Sequence, residues 1–238
     1  MRQHRKQIQM IFQDPLASLN PRMNIGEIIA EPLRTHYPKT PESDVKERVK
    51  DVMNKVGLLD NLVNRYPHEF SGGQCQRIGI ARALILKPKL IICDEPVSAL
   101  DVSIQAQVVN LLMDLQEEMD LTLIFIAHDL SIVKHISTKI MVLYLGNMVE
   151  LANSDDIYTK PRHPYTQALI SAVPIPDPSI EKSKKIILIE GDLPSPVDPP
   201  SGCVFRTRCQ KAQDICAIEK PEFKEVSSNH EVACHFHD

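Results

Sequence analysis

The feature that most constrains the fold is an apolar segment, Leu90–Cys93, that runs directly into two carboxylates, Asp94 and Glu95. Four consecutive apolar residues have the length of a buried strand and are too few for a helix. Similar strand-sized apolar segments occur at Thr122–Ala127 and at 139–144, and stretches with helical spacing separate them. Strands that alternate with helices predict an α/β fold with a largely parallel sheet.

Local start and stop signals predict where the intervening helices begin. A short helix candidate covers Asn24–Leu33, and Thr40-Pro41 predicts a capping residue followed by proline at the first helical position. In the segment S-G-G-Q, Ser71 and a glutamine three residues later have the pattern of a capping box, which predicts a helix that continues to about Leu86. Ser103 is predicted to cap the helix after the carboxylates.

Composition and charge limit the classes of function. The formal net charge is -4 and the pI is near 6.1, so there is no electrostatic reason to expect a nucleic-acid partner. The longest apolar runs, LTLIFIA and IMVLYL, are too short for a membrane span. No signal-peptide pattern precedes the first motif. We therefore expect a cytosolic protein.

The stretch FSGGQCQRIGIARAL has the chemistry of an anion site. Gly72 and Gly73 follow the serine cap, so the first backbone N–H groups of the helix are accessible to an anion. The helix dipole adds positive potential at the same place, and Ser71 offers a hydroxyl. By itself this pattern also fits an ordinary helix start that happens to contain glycine.

FSGGQ, IICDEP, SALD and IAHD follow one another in this order, and as a set they resemble the ATP-binding subunits of ABC transporters. The resemblance extends over most of the chain. It implies an α/β fold: a partial RecA-like P-loop NTPase core with a helical signature subdomain. It also implies ATP and Mg²⁺ as cofactors.

The resemblance assigns roles to individual residues. Asp94 would hold Mg²⁺, and Glu95 would polarise the attacking water as a general base. His128 would reach the terminal phosphate or orient that water, and Gln13 in MIFQDP would sense Mg²⁺ and signal to a membrane partner. Phe70 stands where the signature motif more often has leucine. The positions implied to contact nucleotide or its metal are Gln13, Ser71, Gly72, Gly73, Gln74, Asp94 and Asp101.

One part of the family pattern has no counterpart in this sequence. The Walker A loop, G-x-x-x-x-G-K-[ST], supplies backbone amides and a lysine to the phosphates. None of the eight glycines here is followed by lysine, and only 12 residues precede Gln13. We therefore expect an amino-terminally truncated ABC ATPase, such as a fragment, the product of a misplaced start codon or a disrupted gene. It should bind ATP weakly alone and expose apolar surface that favours aggregation.

The last 36 residues contain a separate group of four cysteines, Cys203, Cys209, Cys216 and Cys234. Their spacing lacks the close C-x-x-C pairs of common zinc sites and suits an iron–sulfur cluster better. The surrounding segments LPSPVDPPSGCVFRTRC and RHPYTQAL resemble the C-terminal extension of oligopeptide and dipeptide importer ATPases, some of which hold a [4Fe–4S] cluster. Free thiols are the main alternative, and zinc with His235 or His237 is a further one.

The wider resemblance is closest to the F-type ATPase subunits of bacterial oligopeptide importers. It predicts a truncated ATPase domain over 1–160, with a helical subdomain over about 14–88, and a C-terminal extension over 161–238. It implies peripheral attachment to the cytoplasmic face of the inner membrane. The implied partners are a second ATPase subunit, two transmembrane permease subunits and, indirectly, an extracytoplasmic peptide-binding protein. The alternatives are a dipeptide or nickel importer, a catalytically dead subunit, or a soluble ABC ATPase that acts on ribosomes or damaged DNA.

Overall fold

The computed structural model describes residues 4–174 and 177–237. The chain forms two compact units, Met1–Asp129 and Leu130–Asp238. The predicted boundary between residues 160 and 161 was drawn from a family resemblance, whereas this division reflects which residues pack together. The predicted domain limits stay a prediction.

The first unit is built on a three-stranded parallel sheet. Its strands are β1 (Ile8–Ile11), β2 (Leu90–Asp94) and β3 (Thr122–Ile126), and they lie in the order β1-β2-β3. Three helices, α1 (Ile25–His36), α2 (Glu42–Lys55) and α3 (Gly72–Leu84), join β1 to β2, and α4 (Val102–Met119) joins β2 to β3. The α/β class and the parallel sheet predicted from the sequence are confirmed.

The two faces of this sheet differ in burial. The strands run in register, so alternate residues of all three strands share a face. On one face Ile11, Ile91 and Cys93 are almost completely buried. On the other face four large apolar side chains are between 36 and 48% exposed: Ile8, Met10, Ile124 and Ile126. A parallel sheet normally has both faces covered, whereas these four side chains leave one face of this sheet partly exposed.

The helix caps correct two sequence predictions. Pro41 occupies the cap position of α2 itself, without a side-chain cap, because the Thr40 hydroxyl donates to the carbonyl of Tyr37 instead. Asp101, and not Ser103, caps α4: its carboxylate accepts from the backbone N–H of Ile104. The Ser103 hydroxyl donates to that same carboxylate, so it supports the cap without forming it.

The second unit contains an antiparallel sheet of four strands in the order β4-β5-β7-β6. Its strands are β4 (Lys139–Tyr144), β5 (Asn147–Asn153), β6 (Lys224–Ser227) and β7 (His230–Val232). Its helices are short: α5 (Leu130–Ile136), α6 (Ser154–Thr159), α7 (Pro164–Ser171), α8 (Pro178–Ser183) and α9 (Ile215–Ile218). The hairpin of β6 and β7 was not predicted from the sequence.

A buried carboxylate organises this second unit. Glu150 on β5 has no exposed surface, and it accepts hydrogen bonds from the backbone N–H groups of Arg162 (2.7 Å) and His163 (3.0 Å). The ring of His230 on β7 lies 2.7 Å from the same carboxylate. A buried carboxylate is stable only when its oxygens are satisfied, so this network fixes the turn before α7 and the strand β7 to β5.

Within residues 4–174 and 177–237, none of the helices combines the length and apolar character that a membrane crossing requires.

Candidate functional site

Glu95 is the residue around which the predicted site is arranged. It follows β2 directly, and its backbone has a φ of +43°, in the left-handed region that non-glycine residues rarely occupy. Its N–H donates to the carbonyl of Ile126 at the end of β3 (3.0 Å). This bond holds the strained residue between the ends of two neighbouring strands. Such strain persists where the surrounding structure enforces it, often at functional sites.

Two other predicted site residues contact the Glu95 side chain. The amide Nε2 of Gln13, just after β1, donates to Glu95 Oε2 at 2.9 Å. The ring atom Nδ1 of His128, just after β3, lies 3.4 Å from Glu95 Oε1. The three residues follow three adjacent parallel strands, whose carboxyl ends meet at one edge of the sheet. The tertiary structure therefore brings together residues that are 82 positions apart in sequence.

Asp94 is the last residue of β2 and is half-buried. No hydrogen bond or ion pair among residues 4–174 and 177–237 engages its carboxylate. Carboxylate oxygens are the ligands that Mg²⁺ prefers in proteins. The side chain thus has the chemistry to ligate a divalent cation at the strand end beside Glu95, which fits the metal that the family resemblance implies.

The helix start at Ser71 has the predicted capping box. The Ser71 hydroxyl accepts from the N–H of Gln74 (3.3 Å), and the Gln74 side chain accepts from the N–H of Ser71 (3.0 Å). Ser71 and Gly72 are exposed, whereas Gly73 is buried. The helix ends at Leu84, slightly before the predicted residue.

Close packing against α4 explains why glycine occupies position 73 in this helix start. A Cβ on Gly73 would lie 2.5 Å from Cγ2 of Ile104, which is closer than real carbon atoms approach. Glycine therefore lets α3 approach α4 closely. In the described part of the chain, no hydrogen bond links this helix start to Gln13, Glu95 or His128. Among the described residues, the predicted site residues thus form two groups that no hydrogen bond connects.

Asp101 has a clear structural function as the cap of α4, and Ser103 and Ile104 hold its carboxylate. These two hydrogen bonds lower the pKa of Asp101. The bond from the Ser103 side chain contributes most, followed by the bond from the backbone of Ile104. Its predicted contact with nucleotide stays a prediction.

The cysteines differ in their surroundings. Cys75 and Cys93 are buried, and burial raises the pKa of the Cys93 thiol to about 12. A buried thiol with a raised pKa is a poor nucleophile at neutral pH. Burial also raises the pKa of Cys234 to about 11, with smaller contributions from the three other C-terminal thiols.

The four C-terminal thiols are therefore close enough to influence one another electrostatically. Among the described residues, however, no group of three or more His, Cys, Asp or Glu side chains is placed to hold a metal ion. All four thiols are free. Cys203 and Cys216 are the best-defined pair, because the backbone N–H of Cys203 donates to the carbonyl of Cys216 (2.8 Å). Gly202 permits this approach, since a Cβ there would lie 2.4 Å from the same carbonyl oxygen.

Sequence reasoning missed Arg82, which joins α3 to the segment around Gln13. Arg82 on α3 donates to the carbonyl of Ser18 (2.6 Å), and its guanidinium carbon lies 5.8 Å from the centre of the Phe12 ring. A basic residue in the last turn of a helix usually interacts with the helix dipole and solvent. The only signal in the sequence was its position among the apolar residues of IGIARAL.

Comparison with known proteins matches two parts of the chain to described families. Residues 1–98 match the ABC transporter family, and residues 149–216 match the family described as the oligopeptide/dipeptide transporter C-terminal region. The chain is 70% identical over 230 residues to the oligopeptide transport ATP-binding protein OppF of Haemophilus influenzae, covering 97% of this chain and 69% of that protein. It is 71% identical to OppF of Escherichia coli, covering 97% and 69%, respectively.

A solved structure also matches. It is that of cbiO1 from Clostridium perfringens, described as part of the ABC transporter complex cbiONQ, with a TM-score of 0.58 and 27% identity over 65% of this chain and 60% of that one. The fold is thus that of a partial ABC ATPase core. With the sequence relatives, it shows that the chain belongs to the ATP-binding proteins of ABC transporters, in the group of oligopeptide transport ATP-binding proteins.

Proposed function

We propose that this chain is the ATP-binding and ATP-hydrolysing subunit that energises import of oligopeptides across the bacterial inner membrane. The names of its relatives in Haemophilus influenzae and Escherichia coli support the cargo class. So does the match of residues 149–216 to the C-terminal region of oligopeptide/dipeptide transporters. ATP and Mg²⁺ are the cofactors that this family implies.

The observation that carries the proposal is the contact of Glu95 with both Gln13 and His128, at 2.9 and 3.4 Å. In the proposed reaction Glu95 accepts a proton from the attacking water, because it is the carboxylate between the two other polar groups. His128 is 73% exposed at its side chain and can turn toward a phosphate oxygen. Gln13 holds one Glu95 oxygen, and Asp94 would hold Mg²⁺ beside it.

The helix start at Ser71 serves a second nucleotide in this proposal. Ser71 and Gly72 are exposed at the start of α3, and the helix dipole favours a negative group there. In the part of the chain that the structure describes, no hydrogen bond links this helix start to Gln13, Glu95 or His128, and we assign it to ATP held by a second ATPase subunit. Two permease subunits and a peptide-binding protein would complete the importer, with this chain on the cytoplasmic face of the membrane.

The decisive experiment compares Glu95→Gln with Glu117→Gln in an importer reconstituted in proteoliposomes, with uptake of labelled oligopeptide and ATP hydrolysis as readouts. Glu117 is an exposed carboxylate on α4 away from the site and serves as the control. Losing a general base should slow hydrolysis by about 10²-fold or more, and peptide uptake should stop with it. Equal rates for both variants would overturn the proposed role of Glu95. Uptake of dipeptides or nickel in place of oligopeptides would correct the cargo.

A catalytically silent subunit is a second candidate function, because Ser71 and Gly72 are exposed at the start of α3 and could serve a partner's nucleotide without hydrolysis by this chain. Such a subunit would present only Ser71 and its helix start to the partner's nucleotide. Binding of Mg-ATP to the isolated chain, measured by calorimetric titration, separates the two readings. Tight binding favours the hydrolysing subunit. If binding is absent but association with a second ATPase subunit depends on ATP, the silent subunit is favoured.

For the C-terminal extension we propose a [4Fe–4S] cluster bound by Cys203, Cys209, Cys216 and Cys234. The support is that the three other thiols each act electrostatically on Cys234, although no group of three or more side chains among the described residues is placed to hold a single metal ion. A cluster is larger than one ion and is bound by loops that wrap around it. Iron and acid-labile sulfide should be present in anaerobically purified protein and should fall in the Cys216→Ser variant. Protein without either element would leave free thiols, and zinc alone would point to a mononuclear site.

A further inference from the structure

Arg82 lies in the last turn of α3, the helix that begins at Ser71, and its side chain reaches back toward β1. Its atom Nη1 donates to the carbonyl of Ser18 (2.6 Å), and the guanidinium lies over the ring of Phe12 with 5.8 Å between the guanidinium carbon and the ring centre. Burial lowers the pKa of Arg82, while the carboxylate of Glu31 on α1 acts in the opposite direction. The side chain is thus a partly buried cation with defined partners.

The two groups that Arg82 contacts lie on either side of Gln13. Phe12 directly precedes Gln13, and Ser18 ends the turn that follows it. Two hydrogen bonds to Asp14 stabilise that turn. The Asp14 carboxylate accepts from the backbone N–H of Ala17 (2.9 Å), and the Asp14 backbone carbonyl accepts from the N–H of Ser18 (3.1 Å). The segment from Phe12 to Ser18 is therefore a compact loop, and we call it the glutamine loop. One guanidinium contacts both of its ends.

We propose that Arg82 is a positioning residue that couples the helix starting at Ser71 to the glutamine loop, and through it to the Gln13–Glu95 contact. This inference deepens the proposed function and rests on it for its biological meaning. A displacement of α3 would move the anchor of the loop, because Arg82 is part of the helix and contacts both loop ends. The loop in turn sets the position of the Gln13 amide, which donates to Glu95 at 2.9 Å.

Arginine suits this pair of contacts better than lysine does. A planar guanidinium can stack on an aromatic ring and donate a hydrogen bond from its edge at the same time. A lysine ammonium is a compact, strongly hydrated charge that can reach the Ser18 carbonyl but cannot stack on Phe12 in the same way. Arg82→Lys should therefore restore only part of the coupling that Arg82→Met removes.

The same helix provides a matched control. Arg77 donates from Nη1 to the carbonyl of Val56 with the same distance, 2.6 Å, and contacts Gln107 on α4. It therefore anchors α3 to other elements by the same kind of bond. A general loss of helix stability would affect the Arg77→Met and Arg82→Met variants alike, whereas a specific loss of coupling would affect the Arg82→Met variant alone.

The test measures the nucleotide-free chain by hydrogen–deuterium exchange and by NMR of the ¹⁵N-labelled glutamine side chains. In Arg82→Met the amides of Ala17 and Ser18 should exchange about tenfold faster or more, because a hydrogen bond to a charged donor is lost. The Gln13 side-chain amide signal should shift. Arg77→Met should leave both readouts as in the wild-type protein, and Arg82→Lys should lie between.

The outcomes distinguish this inference from the proposed function. Unchanged exchange and an unchanged Gln13 signal in Arg82→Met would overturn the coupling and would leave the role of Glu95 intact. Equal effects of Arg77→Met and Arg82→Met would also overturn it, because they would show a merely structural contribution of both arginines. A failure of Glu95→Gln to reduce hydrolysis would reject the proposed function, but it would not alter these measurements, which need no nucleotide.

Discussion

Replacing Gly73 with alanine tests the close packing on which the helix start at Ser71 depends. The new Cβ would lie 2.5 Å from Cγ2 of Ile104 on α4, whereas carbon atoms pack best at about 3.5–4.0 Å. The helices must therefore separate by about 1 Å, and overpacking of this kind costs about 1–3 kcal/mol. Alanine returns about 0.5–1 kcal/mol through its better helix propensity. We expect a net loss of roughly 1–2 kcal/mol in the free energy of unfolding.

Urea unfolding followed by circular dichroism measures this loss. With a slope of about 2 kcal/mol per molar urea, the midpoint should fall by roughly 0.5–1 M. Gly72→Ala is the matched control, because its added Cβ would meet Leu100 Cδ2 at 3.5 Å, an ordinary contact. It should unfold at or above the wild-type midpoint.

A double-mutant cycle tests the cause. Ile104→Ala removes the atom that the new Cβ would approach, so Gly73→Ala should cost much less in that background. If Gly73→Ala is as stable as Gly72→Ala, or if its cost is unchanged by Ile104→Ala, the steric explanation is wrong.

Three further predictions follow from other sites. Glu95→Gly should be more stable than Glu95→Ala by about 1–2 kcal/mol in urea unfolding, because the φ of +43° is strained for any residue with a Cβ; equal midpoints would show that this strain is absent. Burial lowers the pKa of His163 to about 4, below its usual 6.5. The folding stability that depends on the neutral ring is therefore complete above pH 6.5 and is lost as the pH falls toward 4. The loss is at most about 1.4 kcal/mol per pH unit. His163→Asn can still accept from the N–H of Tyr165 but cannot titrate, so its stability should vary less between pH 7 and 5, and an identical pH profile would contradict this assignment. Gly202→Ala should destabilise the second unit by about 2 kcal/mol or more, since the residue has a φ of +66° and its Cβ would lie 2.4 Å from the Cys216 carbonyl oxygen; unchanged exchange protection of β7 would argue against this close approach.

Much of the first unit could be predicted because its signals are local. The apolar run that becomes β2 and the capping box at Ser71 depend on a few neighbouring residues, and both occur where the sequence indicated. The helix caps were less certain because serine, aspartate and proline compete for adjacent positions. At α4 the carboxylate of Asp101 forms the cap by accepting from the N–H of Ile104, and the Ser103 hydroxyl donates to the same carboxylate.

The second unit was harder to predict because its order depends on contacts between distant residues. Glu150 lies in an apolar strand, where nothing in the local pattern indicates that the backbone of residues 162 and 163 and the ring of His230 will satisfy it. The β6–β7 hairpin has only short strands around a turn at Asn229, which takes a φ of +57°. Such short strands show little periodicity of apolar residues in the sequence, and β7 is recognisable as a strand only from its pairing with β5 and β6.

The sequence alone determined the class of fold, the order of the motifs and the identity of the groups able to do chemistry, because strand length, helix caps and residue type are properties of short segments. Only the tertiary structure decided which of those groups meet. Gln13, Glu95 and His128 come together because three parallel strands end at one edge of a sheet. The contacts of Arg82 could be identified only from the tertiary structure for the same reason: Phe12 and Ser18 are close to it only after the chain has folded.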